Sequence, residues 1–360
     1  MRAAVCYEFG KPLVIEDVRL DPPQTGEVRV RIAAIGICHS DIHLIRGEWG
    51  GDVPVIAGHE ASGIVDEVGP GVTLVKPGDR VVVTLLRSCG RCRHCLTGSP
   101  YACPTRFPID DASRFHTLDG QPIKHGLDTA AFAEYTVVDQ SQLAVIPKFV
   151  PLDLASLLAC GVITGAGAVL NTANVKFGES VVVIGAGGVG LNAIQGAQIA
   201  GADPIIAIDV LDSKLGTARD FGATHGLNPH SSDVTESVRS LTGGGADHVV
   251  VTVGAISAVE MALPLPRIEG NLVLVGMPPA DASARFSPFD TVSSGQRILG
   301  SIMGSTRLSI DIPRMAKLYR QKRLHLEELV TRRYPFDEIN AAIDSSEQGE
   351  AVRNLVVFDI

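Results

Sequence analysis

Six of the seven cysteines of this 360-residue chain fall into two patterns that suit metal binding better than disulfides. Cys89, Cys92, Cys95 and Cys103 read C-x2-C-x2-C-x7-C, and four thiolates in one loop match a closed tetrahedral structural zinc site. An iron–sulfur cluster and four reduced structural thiols are the alternatives. A ferredoxin run needs a further C-x3-C-P element, and Cys103-Pro104 supplies only its proline. A zinc-ribbon nucleic-acid module fits poorly with an acidic chain. Four thiolates on one dication leave a double negative charge, which Arg87, Arg91, Arg93 and Arg106 are expected to offset. The second pattern is dispersed. Cys38, His59 and Cys160 stand in Gly-bearing contexts, GICHSDIH, AGHEASG and ACGVITGAG. Cys, His and Cys form an open catalytic zinc set, with a fourth position left for water or substrate. Ligands so distant can meet only if most of the first half folds around them.

A third constellation points to a dinucleotide. The stretch VVVIGAGGVGLNAIQGAQIAGADPIIAIDV holds Gly185, Gly187 and Gly190 in G-x-G-x-x-G spacing, with Gly188 inside the run. The run follows a buried-strand pattern and opens a helix at Val189, and a second strand ends in Asp209. That context is the fingerprint of a Rossmann site. The glycines permit a tight turn and close approach to a pyrophosphate, whose charge meets a helix N-terminus. Asp209 is placed to accept hydrogen bonds from the adenosine ribose hydroxyls, which favours NAD over NADP.

The elements that must position these groups follow a change of texture. The first 150 residues carry short alternating runs between Gly-Pro turns, as in EVRVRIAAIGI, where Val28, Val30 and Ile32 share a face. They predict a Gly-rich β-barrel, interrupted by a loop-rich excursion over residues 88–130. From residue 151, DLASLLACGVITGAGAVL reads as a helix with Asp153 near its cap. Apolar strands alternating with helices then predict a doubly wound parallel sheet. After about residue 303 come a basic amphipathic helix, another helix and a last strand, NLVVFDI. The length favours two domains. The net charge of −9 argues against a nucleic-acid or anionic-membrane partner. No apolar run approaches a spanning helix, and the N-terminus has no signal-peptide core, so the expected compartment is the cytoplasm.

The four-Cys loop, the Cys–His–Cys set and the Rossmann fingerprint occur in an order and at intervals that resemble the zinc-dependent medium-chain alcohol dehydrogenases. The likeness covers essentially the whole chain. The segment between Cys103 and Phe132, including SRF, looks like the branch with the class I and class III enzymes. The resemblance implies an α/β protein with a GroES-like β-barrel catalytic domain (1–161), a Rossmann NAD-binding domain (162–303), and a C-terminal return to the first domain (304–360). It implies Cys38, His59 and Cys160 as catalytic zinc ligands, Glu60 beside the metal, and Asp41 holding the ligand histidine. Ser40 matches the hydroxyl that hydrogen-bonds the alcohol, and His43 the outer end of a proton relay through the nicotinamide ribose. His39 stands where Arg often contacts pyrophosphate, a departure that weakens the coenzyme contact there or makes it pH-dependent. Arg353 matches a pyrophosphate-binding Arg and Lys214 a residue near the adenosine ribose. Thr164 and Val189 match positions beside the nicotinamide ring, and Val275, Ser301 and Met303 backbone positions that grip its carboxamide. Trp49, Leu85 and Phe132 fall near the substrate pocket.

The function this implies is hydride transfer between an alcohol or aldehyde and NAD, with two zinc ions per chain and a homodimer or homotetramer as the assembly. An S-(hydroxymethyl)glutathione-type adduct is an alternative substrate, which Arg114 favours. A non-catalytic zinc and dinucleotide redox sensor is the alternative from another class, and the Ser40–His43 pair argues against it. Cys6, and His116, His125, His225, His230, His248 and His325, read as structural. The particular alcohol, the need for a thiol and the direction of flux are not readable from the chain.

Overall fold

The computed structural model describes residues 1–349 and 351–359. The chain divides into two compact units, residues 1–160 with 307–360 and residues 161–306.

The first unit is built on a seven-stranded, mainly antiparallel sheet. Its central strand, Glu27–Gly36, pairs along its length with Ala61–Val68. On its other side it meets Tyr135–Asp139 with its first half and the returning strand Arg353–Val357 with its second. Further strands, Arg80–Val83 and Leu143–Val145 on one side and Val330–Pro335 on the other, complete the path. The alternation read in the sequence is real: Val28, Val30 and Ile32 are wholly buried in one core with Phe115, Phe132 and Val356. β-branched side chains with period two cover one face of a pleated sheet, and their burial holds the curvature. The excursion over 88–130 carries the four cysteines and is anchored by a buried pair. Arg114 donates from Nε and Nη2 to the Glu27 carboxylate at 2.8 and 2.6 Å.

The second unit is a six-stranded all-parallel sheet. Its strands run, in spatial order, His225–Leu227, Ile205–Ile208, Val181–Ile184, Ala246–Val251, Pro266–Leu274 and Arg297–Gly300. The chain starts in the middle and winds outward both ways, so a switch point lies beside Val181–Ile184, where such sheets bind ligands at the strands' carboxyl ends. The helix Gly188–Ala200 follows that strand directly. The helix Asp212–Asp220 follows the second strand.

One expectation is corrected. The run from residue 152 is not one helix, and Asp153 is not its cap. A short helix, Leu152–Ser156, starts after Pro151 and tightens into a 3-10 turn, Leu157–Ala159. Cys160 then leaves helical geometry at φ −143° and ψ −73°. Asp153 lies in the first turn and pairs with Arg333 at 2.7 Å. The helical composition is uninterrupted there. Tertiary placement of the Cys160 thiol, not local propensity, decides the break.

Candidate active site

Three elements of the first unit bring the dispersed ligands together. The strand Glu27–Gly36 ends two residues before Cys38, which occupies the N-cap position of the helix His39–Ile45. His59 and Glu60 immediately precede the strand Ala61–Val68, and Cys160 sits at the helix break. The ligand atoms of Cys38, His59 and Cys160 all lie within 4.8 Å of one another, and all three residues are buried. His59 Nε2 is 3.3 Å from the Cys160 sulfur. Its other nitrogen, Nδ1, bonds the Asp41 carboxylate at 2.9 Å, and the same oxygen accepts the Gly58 backbone N–H. An Nδ1–H donated to Asp41 leaves Nε2 unprotonated and aimed at the thiols, as a metal ligand must be. Two soft sulfurs and one imidazole suit zinc.

The charges of the set act on one another, and a metal ion bound there would displace protons from His59 Nε2 and from the thiols. The neighbouring Cys160 thiol holds Cys38 well below its ordinary pKa, while its hydrogen bond with Cys38 and burial push Cys160 well above its own. Burial opposes a charge on His59, but Asp41 outweighs it and raises His59 well above the usual range. Burial also pushes the Glu60 carboxyl up to about 8, against the pull of Arg353. Neither Glu60 oxygen has a hydrogen-bond partner, and Arg353 Nε lies 3.6 Å away. Gly36 makes room for it, since a Cβ there would stand 3.0 Å from the Glu60 carboxyl carbon. A buried carboxyl without hydrogen bonds beside a thiol–imidazole set is a group that a dication there would help to satisfy.

Ser40 and His43 lie one turn apart on the helix His39–Ile45, so they share a face. Both are partly exposed, as is Trp49, whose ring is 5.2 Å from that of His43. His43 Nδ1 bonds Glu48 at 2.5 Å, which leaves Nε2 as the nitrogen available for proton exchange. His39 is exposed at the start of the same helix.

Four expectations need correction. Phe132 has no exposed surface and packs with Ile35 against Gly58, in the core behind His59, so it lines no open pocket. Leu85 and Trp49 remain partly exposed. Arg353 is almost wholly buried and turned towards Glu60, the attraction of opposite charges in a medium of low polarity. Arg114 is fully committed to Glu27 and to the Ala112 carbonyl, so it offers nothing to a thiol ligand. Finally, Arg87 pairs with Asp110 and Asp128, and Arg106 with Asp111, so these two do not serve to balance the four-Cys loop. A cavity of about 670 Å³ opens among Arg87, Arg106, Asp110, Asp128, Lys124 and His125, and contains none of the metal ligands.

In the four-Cys loop the sulfurs again converge within 4.8 Å. Backbone N–H groups of Cys89, Cys92 and Cys95 point at the sulfurs of Cys103, Cys89 and Cys92, at 3.3 to 3.5 Å. Cys92 caps the helical turn Arg93–Leu96 with its sulfur. Hydrogen bonds from the Thr105 hydroxyl and from backbone amides bring the Cys89 thiol down to about 6. Amides aimed at sulfur favour a thiolate at Cys89, whereas burial and the Cys92 side chain push Cys95 up to about 12, so a metal ion would displace its proton; the four converging sulfurs fit a closed zinc site.

In the second unit the fingerprint glycines behave as their spacing predicts. Gly185 has φ +93°, and a Cβ on it would strike Val253. A Cβ on Gly190 would lie 1.7 Å from the Gly185 carbonyl oxygen, so the helix can approach the strand only with glycine there. The Gly187 side is open, leaving space for a phosphate. Asp209 accepts from the Ala186 and Leu211 amides at 2.8 and 3.0 Å, which ties the second strand to the glycine turn. Val189, Lys214 and Val275 are partly exposed. Thr164 meets the Met303 sulfur at 3.6 Å, and Ser301 bonds the Leu274 carbonyl at 2.9 Å. The Glu60–Arg353 pair was invisible in sequence, because nothing local links positions so far apart.

A closed four-thiolate site, an open thiol–imidazole site and a Rossmann crevice define a zinc- and nicotinamide-dependent dehydrogenase. Residues 24–148 match the alcohol dehydrogenase GroES-like domain, and residues 188–321 the zinc-binding dehydrogenase domain. The chain is 38% identical over 371 residues to an alcohol dehydrogenase class-P of Arabidopsis thaliana, covering 99% of this chain and 97% of that one. It is 38% identical over 373 residues to the S-(hydroxymethyl)glutathione dehydrogenase of Paracoccus denitrificans, covering 99% of each. The crystal structure of benzyl alcohol dehydrogenase from Acinetobacter calcoaceticus superposes with a TM-score of 0.93 at 32% identity, covering 99% of both chains. The chain belongs to the zinc-dependent medium-chain alcohol dehydrogenase family. It is an oxidoreductase of alcohols and aldehydes that uses zinc and a nicotinamide coenzyme.

Proposed function

We propose that the alcohol hydroxyl is deprotonated through Ser40 and His43, with hydride passing to NAD. The observation that carries this reading is the buried Cys38–His59–Cys160 cluster with Asp41 behind it, flanked by a helix that bears Ser40 and His43 on one face. Cys38, His59 and Cys160 would hold a zinc ion, which would supply a Lewis acid to lower the pKa of the alcohol hydroxyl. Ser40 would accept the hydroxyl proton while passing its own on through the nicotinamide ribose hydroxyl to His43, which, oriented by Glu48, would release a proton to solvent. Asp41 fixes the imidazole tautomer of His59. Glu60 and Arg353 set the charge around the ligands. His39, Gly187, Gly188 and Lys214 contact the coenzyme phosphates and ribose, and Thr164, Val189, Val275, Ser301 and Met303 its nicotinamide end. Asp209 selects NAD, because a 2′-phosphate would meet its carboxylate. Leu85 and Trp49 bound the substrate.

The test is coenzyme reduction across primary, secondary, aromatic and polyol alcohols, with and without glutathione. Simple alcohols should turn over without thiol. Turnover confined to formaldehyde plus glutathione would instead favour the thiol-adduct reading, which the Paracoccus relative's name supports and Arg114 no longer does. His43→Gln should depress alcohol oxidation about tenfold or more below about pH 7 and respond to added amine bases. An unchanged pH–rate profile would remove His43 from the relay.

We also propose a homodimer or homotetramer. The edge strand Arg297–Gly300 has no partner on its outer side among the described residues, and Met277, Phe289, Val292, Ile298 and Ile302 are exposed nearby in sequence. Sedimentation should show no monomer at working concentration. Among the described residues no single helix is long and apolar enough to cross a membrane. The seven cysteines form no disulfide among the described residues, which supports a reducing compartment such as the cytoplasm, and fractionation tests it.

A further inference from the structure

The loop over residues 301–306 adopts a conformation that its sequence does not favour. Met303 has φ +44° and Ser305 φ +48°, on either side of Gly304 at φ +65°. Left-handed backbone is natural for glycine and disfavoured for Met and Ser, so surrounding structure must impose it. The imposing element is a π-helical turn, Ala168–Ala173. Its Asn171 side chain donates to the Gly304 carbonyl at 3.1 Å. Its Thr172 hydroxyl lies 2.8 Å from both the Ser301 and the Ser305 hydroxyls. One hydroxyl has one proton to donate and lone pairs to accept with, so Thr172 can satisfy both serines at once. It thereby fastens the two ends of the loop to one point. Gly167 lets the turn come this close, since a Cβ there would lie 2.4 Å from the Gly304 oxygen.

We propose that Thr172 is a positioning residue for the nicotinamide half of the coenzyme: by clamping Ser301 and Ser305 it holds the 301–306 backbone in the shape that receives the ring and its carboxamide. This rests on the reading that Ser301 and Met303 face the carboxamide. The proposed effect of Thr172 runs through the hydroxyls of Ser301 and Ser305. Valine in its place keeps the volume but leaves two serine hydroxyls without their shared partner, so that Asn171 on the Gly304 carbonyl and Thr306 on the Met303 carbonyl hold the strained backbone with less support.

The experiment compares NADH with ADP-ribose, which keeps the adenosine and pyrophosphate but lacks the nicotinamide. In the zinc-loaded enzyme, Thr172→Val should raise the Kd for NADH about fivefold to tenfold and leave that for ADP-ribose unchanged. Thr172→Ser should keep the parent value for both. If Thr172→Val fails to fold, Ser305→Ala removes one of the two bonds and should give about a twofold to threefold loss, again for NADH alone. Hydrogen exchange separates this proposal from the reading beneath it. In the parent, NADH should slow exchange at residues 301–306 and ADP-ribose should not; exchange indifferent to NADH would remove the carboxamide reading and the proposal with it. Protection by NADH in the parent, with parent-like NADH binding in Thr172→Val, would overturn the role of Thr172 alone. Equal weakening of NADH and ADP-ribose would also overturn it, because it would mark a general loosening of the coenzyme unit.

Discussion

The two metal sites of the first unit use similar ligands and are built in opposite ways. The four-Cys site is local: a fifteen-residue stretch supplies every sulfur, short-range amide bonds orient them, and all four residues are partly exposed. The Cys38–His59–Cys160 site is global. Its ligands come from three segments, all are buried, and its supporting carboxylates Asp41 and Glu60 have no exposed surface. A local site depends on its metal to order a loop that has little core of its own. A global site is ordered by the fold and can leave a position open for chemistry. Beyond that site, the excursion is pinned by Phe115 and Ile123 in the core of the first unit and by the pairs Glu27–Arg114 and Arg87 with Asp110 and Asp128.

That contrast predicts different failures. Cys160→Ala should abolish alcohol oxidation, by about a thousandfold or more in kcat/KM, and lose one of two zinc ions per chain, while the protein stays folded. Metal analysis and thermal unfolding check this; loss of the fold would mean that the global site too depends on its metal. Cys92→Ala should lose the other zinc and destabilise the protein by several kcal/mol, on the order of the folding energy that closed zinc sites supply. A variant as stable as the parent would end the distinction.

Asp41→Asn should weaken metal binding at the global site by about tenfold to a hundredfold, because His59 loses the partner that sets its tautomer. Chelator competition measures it, and the four-Cys zinc should not change.

The smallest effect concerns pH and the excursion alone. His125 accepts the Arg114 backbone N–H at Nε2, and its Nδ1 is buried without a partner. Burial, then the charges of Arg114 and Arg87, bring it down to about 3, with Asp110 opposing. Between that value and the ordinary histidine pKa the unfolded chain binds a proton that the folded chain refuses. Stability is therefore full above about pH 6.5 and falls as pH drops, by about 2 kcal/mol near pH 5. His125→Gln should flatten this part of the stability profile, whereas an unchanged slope would assign the acid sensitivity to other groups.

How much was readable followed the range of the interactions. The closed zinc loop, the glycine turn and Asp209 were legible because spacing along the chain fixes their geometry within a few residues. Gly185 and Gly190 stand where backbone approach excludes any Cβ, as the motif requires. The catalytic ligands were legible as residue types in context, but their convergence was not, since no local rule joins Cys38 to Cys160. Arg114 was misread because a charged side chain in a loop looks free until a distant strand supplies Glu27. Phe132 was misread because sequence does not say which side of a wall a ring occupies.

By itself, the sequence determined the strand and helix periods, the order of the two units, the closed zinc loop and the dinucleotide turn, because each depends on neighbours in the chain. Only the tertiary structure decided where the helical run breaks at Cys160, that Arg353 turns to Glu60, and that Thr172 meets Ser301 and Ser305. Those contacts join segments far apart in the chain, and burial away from water gives them their strength.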